Sequence, residues 1–214
     1  MIDLQISSID EPLLEAPDAA SLAFSLVGRA QTMGFLPAQH KRRIELDREF
    51  LVSLANALRG HGLASIATAE LARAAQAEPV NQVDLVEALR AILEAVDASP
   101  HPDGEWAPAR DLLGDELLAR VLQISGSSLR RYAAGDRRTP DDVAWRLHIV
   151  ARLLAALIGS YNEYGVRRWF ERPRSGLGGR TPAEILEDAQ VEDDERVKRL
   201  ISLAEELTGA GAAT

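Results

Sequence analysis

Five arginines and a single acid lie between residues 120 and 138, which gives this stretch a charge of +4 in a chain whose net charge is -9. The arginines are Arg120, Arg130, Arg131, Arg137 and Arg138, and the acid is Asp136. A guanidinium group is planar and always charged, so it can bind a phosphate or a guanine base through two hydrogen bonds. This stretch is therefore a candidate for contact with nucleic acid.

The residues around these arginines have the spacing of two short helices joined by a turn. Residues 115–122 predict one helix and residues 126–133 predict another, with Ser125 as its N-terminal cap. Leu129 and Tyr132 would face inward. This is the size of a helix-turn-helix unit, whose second helix enters the DNA major groove. The predicted DNA-facing residues are Ser127, Ser128, Arg130, Arg131, Arg137 and Arg138.

A helical corner with solvated arginines has the same spacing, so the pattern alone leaves that interpretation open. The helix predicted next, from residue 143 to 158, is apolar on nearly every side and should be the buried axis of its domain. His148 lies on this helix, and no nearby residue has the spacing of a metal ligand or a catalytic partner. We therefore expect it to be a core or boundary residue.

A second segment of unusual composition runs from Trp169 to Leu186, with the sequence WFERPRSGLGGRTPAEIL. Thr181 and Glu184 have the spacing of a capping box, with a proline at the first helical position between them. Three glycines precede this helix start and predict a tight loop that presents Leu177 and Arg180. From composition alone, the segment is typical of a connector between two helices.

Patterns typical of enzymes are missing from the sequence. The four histidines are scattered at positions 40, 61, 101 and 148, and there is no cysteine. The sequence contains no G-x-S-x-G motif and no phosphate-binding loop. We therefore predict no catalytic residue, no metal site and no cofactor.

The length and composition predict a globular all-α protein. The chain has 214 residues, of which 46% are hydrophobic, and it has neither a long apolar run nor a signal-like start. We therefore expect a cytoplasmic location without membrane contact. Residues 1–104 carry 15 acidic and 8 basic side chains, residues 105–187 carry 11 and 13, and residues 188–214 carry 7 and 3. The basic excess thus lies between two acidic flanks.

The predicted domain order follows the helical periodicity and the positions of proline and glycine. We expect a flexible arm at 1–18, a helical bundle of unknown role at 19–97 and a linker at 98–107. The helix-turn-helix region would span 108–160, a second C-terminal region 161–207, and a tail 208–214.

Residues 108–207 resemble the Xre/ParS-type antitoxins. The similarity is carried by ISGSSLRRYAAGDRRTPDDVAWRL, by RRWFERPRSGLGGRTPAEIL, and by the closing segment EDAQVEDDERVKRLISLAEEL. The resemblance implies a non-catalytic antitoxin that neutralises a RES-domain toxin, an enzyme that degrades NAD, and that represses its own promoter. It also implies a toxin-facing surface that includes Trp169, Pro173, Leu177, Gly178, Gly179, Arg180 and Leu200. The first hundred residues have no counterpart in typical members of that family.

Two other functions are compatible with the same residues. The chain could be a solitary helix-turn-helix regulator whose N-terminal bundle dimerises or senses a signal. It could also be a protein-interaction module without DNA binding, an alternative that the net charge of -9 supports. A palindromic operator would favour a homodimer or a higher even-numbered assembly.

Overall fold

The computed structural model describes residues 5–10, 13, 15–36, 43–189 and 194–211. These residues form ten α-helices and one pair of short strands, which confirms the predicted all-α class. The chain divides into two compact units. Of the described residues, those within 5–31 and 35–99 form the N-terminal unit, whereas 32–34 and those within 100–211 form the C-terminal unit. In the described part, no helix combines the length and apolarity needed to span a bilayer.

The N-terminal unit is a helical bundle with a two-stranded edge. Its elements are β1 (Gln5–Ile9), α1 (Pro17–Thr32), β2 (Arg43–Leu46), α2 (Arg48–Gly60), α3 (Ser65–Gln76) and α4 (Gln82–Asp97). Asp47 caps α2 by accepting a hydrogen bond from the Phe50 amide at 2.7 Å, and Asn81 caps α4 in the same way. One apolar face of α2 is buried, and it includes Phe50, Leu51, Leu54 and Leu58.

The arm predicted at residues 1–18 is partly wrong, because much of it belongs to the fold. Residues 5–9 form β1, which pairs in parallel with β2, and α1 already begins at residue 17. Ile44 and Leu46 of β2 are buried while Glu45 between them is exposed. Burial of this alternating face gives the strand pair a packing reason to form. Residues 1–4, 11, 12 and 14 of the predicted arm lie outside the described residues.

The C-terminal unit consists of six helices and a short 3₁₀ turn. They are α5 (Pro102–Val121), α6 (Gly126–Ala133), α7 (Asp141–Leu157), α8 (Glu163–Glu171), the 3₁₀ turn (Ser175–Leu177), α9 (Pro182–Asp188) and α10 (Glu195–Gly211). Gly114 breaks α5 into two pieces, since its φ of 77° and ψ of 160° are not helical. Because α10 continues to residue 211, most of the tail predicted at 208–214 is helical, and residues 212–214 lie outside the described part.

The linker predicted at residues 98–107 is also partly helical, because α5 begins at Pro102. Proline suits the first helical position, and Asp103 and Glu105 place acids in the first turn. Gly104 made residues 98–107 look like a linker in the sequence, but a glycine is required at this position by a contact made in the folded unit. A Cβ at this position would lie 2.2 Å from the Met33 carbonyl oxygen, which belongs to the same unit. Close backbone packing therefore explains the glycine that the sequence suggested was a linker signal.

Helix α7 is the buried axis of this unit, as predicted. Twelve of its residues are buried, among them His148. His148 Nδ1 lies 2.6 Å from Glu105 Oε1, and neither side chain is exposed. This interior pair agrees with the expected core position of the histidine. It also ties the start of α5 to the axis.

Candidate functional site

The helix-turn-helix geometry is formed by the second piece of α5, a turn and α6. The Ile124 amide donates to the Ala119 carbonyl at 3.0 Å, which turns the chain back at the end of α5. Gln123 adopts a φ of 56°, the left-handed conformation that such a tight reversal requires. Ser125 then caps α6 by accepting a hydrogen bond from the Ser128 amide at 3.1 Å. Helix α6 has the bounds that the sequence predicts.

The inner face of α6 is anchored in the core. Leu129 is fully buried and Tyr132 nearly so. The Tyr132 ring stacks on Trp106, with 6.3 Å between ring centroids, and Trp106 Nε1 donates to Thr139 Oγ1 at 3.1 Å. Trp106 lies on α5 and Thr139 precedes α7. These contacts hold α6 and the loop after it against two neighbouring helices.

The outer face of α6 carries the predicted polar residues. Ser127, Arg130 and Arg131 are exposed, whereas Ser128 is half-buried and its hydroxyl accepts a hydrogen bond from Ser125 at 3.0 Å. Within the described part of the chain, neither Arg130 nor Arg131 forms an ion pair. Their guanidinium groups are therefore available to an external anion.

The loop that follows α6 adds two further exposed arginines. Gly135 ends the helix with a φ of 75°, and the Arg137 guanidinium lies 5.7 Å from the centre of the Tyr132 ring. Arg138 contacts Asp141 at 3.2 Å, but the two side chains are 88% and 86% exposed. Such a solvated pair is weak and can exchange partners at little cost. Arg137 and Arg138 thus both lie near α6.

Arg120, which contributes to the local charge of the sequence, points to a different place. Its Nε lies 2.9 Å from Glu187 Oε1. The neighbouring Gln123 also donates to the Glu187 carbonyl. These two contacts connect the end of α5 to α9. Arg120 is thus a structural contact, and the outward basic group consists of Arg130, Arg131, Arg137 and Arg138.

An open groove of about 480 Å³ lies beside this group. Its walls include Arg137 and Arg138 together with Asp103 and Asp141. Because cations and carboxylates face each other across it, the groove has no single charge sign. We therefore assign it no anion-binding role.

The second candidate region is the loop between α8 and α9. Its backbone closes on Arg174, whose amide donates to the Arg180 carbonyl at 3.0 Å and whose carbonyl accepts from the Gly179 amide at 3.0 Å. Gly178 and Gly179 have φ values of 65° and 81°, so both need the conformational freedom of glycine. The predicted tight loop is therefore present, with the glycines at its exposed tip.

Helix α9 begins with the predicted capping box. The Glu184 amide donates to Thr181 Oγ1 at 3.1 Å, and the Thr181 amide donates to Glu184 Oε2 at 2.7 Å. The backbone hydrogen bond from Thr181 lowers the pKa of Glu184, and the hydrogen bond with the Thr181 side chain adds to that effect. The cap therefore holds Glu184 in its charged form.

The structure places the seven predicted toxin-facing residues in two different environments. Trp169, Leu177 and Leu200 are buried, at 1%, 9% and 0% exposure. Their side chains pack inside the unit, so the direct contact predicted for them does not fit the structure. Pro173, Gly178 and Gly179 are exposed and Arg180 is half-buried. Only these four can meet a partner without unfolding the loop.

Arg180 already has partners within the chain. Its Nη2 lies 2.5 Å from Asp188 Oδ2 and donates to the Glu184 carbonyl at 2.8 Å. Any acidic group of a partner would compete with Asp188. This arrangement makes Arg180 a clamp between the loop and α9.

Sequence reasoning missed an exposed group at the start and end of α8. Tyr161 and Tyr164 are 37% and 69% exposed, and the Arg168 guanidinium donates to the Tyr164 hydroxyl at 3.1 Å. Arg172 is exposed and Arg174 is half-buried. The signal in the sequence was two tyrosines followed by two arginines, Tyr161, Tyr164, Arg168 and Arg172, at steps of three and four residues.

Comparison with known proteins gives no match for this chain, since no protein-family model matches it and neither curated proteins nor solved structures give a match.

Proposed function

We propose that the chain is a DNA-binding antitoxin, which neutralises a RES-type NAD-degrading toxin and represses its own operon through the helix-turn-helix. In this proposal the chain itself is not an enzyme. The single observation that carries the DNA-binding part is the two-sided character of α6. Its inner residues Leu129 and Tyr132 are buried, while Arg130 and Arg131 are exposed and have no ion-pair partner among the described residues.

The charges around α6 fit a role in phosphate and base contact. Arginines on the helix would meet base edges or phosphates, and Arg137 and Arg138 in the following loop would meet the DNA backbone. Ser127 adds an exposed hydroxyl in the first turn, and Ser128 lies beside it. The overall charge of -9 disfavours DNA binding elsewhere on the surface, so the contact would be confined to this region.

The toxin-binding part of the proposal rests on the residue order from Trp169 to Leu186. Burial of Trp169 gives that order a packing role, and the exposed tip of the loop would provide the contact. Pro173, Gly178 and Gly179 offer a rigid surface, and Arg180 offers a cation that can exchange Asp188 for a carboxylate of the toxin.

The DNA-binding part is tested with the double substitution R130A/R131A. Binding to the DNA upstream of the reading frame is measured by fluorescence anisotropy across a range of salt concentrations. The wild-type affinity should fall as salt rises, and the double variant should bind at least about 30-fold more weakly, since each specific arginine contact contributes roughly 1–3 kcal/mol. The slope of the logarithm of affinity against the logarithm of salt concentration should also be smaller by about two, one for each arginine removed.

The matched control is R90A/R199A, which removes the same charge from two exposed arginines elsewhere in the chain. This control should bind DNA like the wild type. An unchanged affinity in R130A/R131A would reject the proposed DNA site. If neither protein binds DNA at low salt, the chain is an interaction module instead.

The toxin-binding part is tested by co-expression with a RES-type protein encoded beside this chain. The expected result is rescue of growth and co-purification of the two proteins. Failure of both, together with intact DNA binding, would leave a solitary regulator. The assembly state follows from light scattering of the DNA-bound protein, for which a dimer or a higher even number is expected on a palindromic site.

A further inference from the structure

Arg174 is a half-buried cation for which the described residues provide no counter-charge. Its guanidinium lies 4.6 Å from the centre of the Trp169 ring, so it stacks on an aromatic face. Burial lowers the pKa of Arg174, because the surroundings disfavour its charge. It forms no ion pair in the described part of the chain, and its Nε is buried without a hydrogen-bond acceptor. Trp169 Nε1, which is also buried, has no acceptor either.

Arg146 shows that this fold can satisfy a desolvated guanidinium. Burial lowers the pKa of Arg146 as well. However, its two terminal nitrogens donate to the Leu186 carbonyl at 3.0 Å and to the Ala189 carbonyl at 2.8 Å. Leaving a buried donor without a partner costs about 1–3 kcal/mol. The contrast between the two arginines indicates that Arg174 is built to receive an acceptor from outside.

The surroundings of Arg174 have the composition of an interface. We define the Tyr–Arg surface as Tyr161, Tyr164, Arg168, Arg172 and Arg174. Both Tyr161 and Arg172 are close enough to influence the charge of Arg174. The Arg168 guanidinium lies 6.0 Å from the Tyr164 ring centre. Tyrosine and arginine are enriched where protein partners bind most strongly.

Tyr161 packs closely against Gly165. A Cβ at Gly165 would lie 3.0 Å from Cβ and Cδ1 of Tyr161, so no larger residue fits without moving the ring. Glycine has a low helix propensity, so its presence inside this short helix is explained by the close approach of the Tyr161 ring. Tyr161 thus has a packing contact within the fold, and it also acts electrostatically on Arg174, whose pKa it raises against the larger effect of burial.

We propose that Arg174 receives a carboxylate from an acidic segment of a protein partner, with Tyr161 and Arg172 at the rim of the site. Of the Arg174 nitrogens only Nε is buried without a partner, so the two terminal nitrogens of this half-buried side chain are the ones that match a planar carboxylate through two hydrogen bonds. The inference deepens the partner-binding part of the proposed function and rests on it only for the identity of the partner. It places the main anchor at Arg174, whereas Arg180 is occupied by Asp188.

The experiment is an NMR titration of the full ¹⁵N-labelled chain. Its three tryptophans give three indole N–H signals, which are assigned by through-bond correlation. Sodium acetate and a capped tri-glutamate peptide are titrated in, with chloride adjusted to keep ionic strength constant. The indole signal of Trp169 and the Nε–H signal of Arg174 should shift and saturate. The indole signals of Trp106 and Trp145 should not move.

The variant R174Q should weaken peptide binding about tenfold or more, since hydrogen bonds to a charged group are lost. R174K keeps the charge but loses the planar fork, and it should bind between wild type and R174Q. R199Q is the matched control, because Arg199 is an exposed arginine of α10 outside both proposed sites, and it should titrate like wild type. The urea-denaturation midpoint of each variant checks that it is folded.

Three results would overturn the inference: no saturable shift with either carboxylate probe, a shift that persists in R174Q, or saturation by inorganic phosphate but not by the carboxylates. The last result would assign the site to phosphate instead. The titration needs neither DNA nor toxin, so its failure is separate from a failure of the proposed function. R130A/R131A should titrate like wild type even if it no longer binds DNA.

Discussion

The surface of α6 and the loop between α8 and α9 illustrate two ways in which a conspicuous stretch of sequence is used. In α6 the conspicuous residues are arginines and serines, and Ser127, Arg130 and Arg131 are exposed. In and just before the loop the conspicuous residues include Trp169, at the end of α8, and Leu177, and both are buried. The first stretch is unusual because of what it presents to solvent. The second is unusual mainly because of what it must pack.

This difference follows from the chemistry of the side chains. An arginine is rarely buried without a partner, so a cluster of arginines in an acidic chain predicts which residues lie on the surface. A tryptophan buries a large apolar area, so beside leucine and glycine it predicts core packing at least as strongly as it predicts an interface. Polar clusters therefore locate surfaces, whereas aromatic motifs require the fold before a role can be assigned.

The largest expected effect tests the packing role of Trp169. W169A should lower the free energy of unfolding by about 3–5 kcal/mol, the usual cost of removing a fully buried aromatic side chain. R131A, on the exposed face of α6, should change it by less than about 0.5 kcal/mol. Urea denaturation measures both. Similar values for the two variants would break the contrast between the regions.

A smaller effect is expected at the tip of the loop. G179A should lower the free energy of unfolding by roughly 1–2 kcal/mol, since alanine disfavours the φ of 81° found there. A Cβ at Gly179 would meet no atom within 4 Å, so the cost comes from the backbone alone. G60A is the matched control, because Gly60 has an ordinary φ and equally open space. It should be neutral or slightly stabilising, and an equal loss in both would contradict the assigned strain.

The smallest effect concerns the pH dependence of the cap on α9. The hydrogen bonds from Thr181 lower the pKa of Glu184 below its ordinary value of 4.5. A carboxylate with a lowered pKa contributes stability above its unfolded-state pKa, and that contribution is lost as pH falls through the folded-state pKa. E184A should therefore be less stable than wild type at neutral pH, and the difference should shrink below pH 4.5.

The control for this prediction is E184Q, whose amide can occupy the capping box but does not titrate. The stability difference between E184Q and E184A should stay constant over the same pH range. Thermal unfolding at a series of pH values measures all three proteins. A wild-type advantage that persists in acid would show that the charge of Glu184 does not contribute to the cap.

Local patterns in the sequence were sufficient for three helices of the C-terminal unit, α6, α7 and α9. The bounds of α6, the cap by Ser125 and the capping box of Thr181 and Glu184 all follow from short-range preferences, and the structure confirms them. The buried axis α7 follows from its continuous apolar composition. These features depend on neighbours within about four residues, so the sequence alone contains the necessary information.

Long-range contacts account for what the sequence did not predict. The parallel pair of β1 and β2 joins segments that are far apart in the chain, and neither strand is long enough to show clear alternation. Gly104, at the start of α5, lies so close to the Met33 carbonyl that a Cβ would not fit, a contact that local spacing does not reveal. Arg120 was counted as a basic surface residue, but Glu187 lies 2.9 Å away in the fold. None of these partners can be read from local spacing.

The stack of Trp106 on Tyr132 gives the protein an intrinsic optical reporter. Tyr132 lies on α6 and contacts the Arg137 guanidinium on the adjacent loop, while Trp106 is buried on α5. Energy transfer from the tyrosine to the tryptophan depends on the separation and relative orientation of the two rings. A shift of α6 by a fraction of its diameter would thus change the emission of Trp106. Trp106 emission excited through Tyr132 therefore reports on the placement of α6 without any attached label.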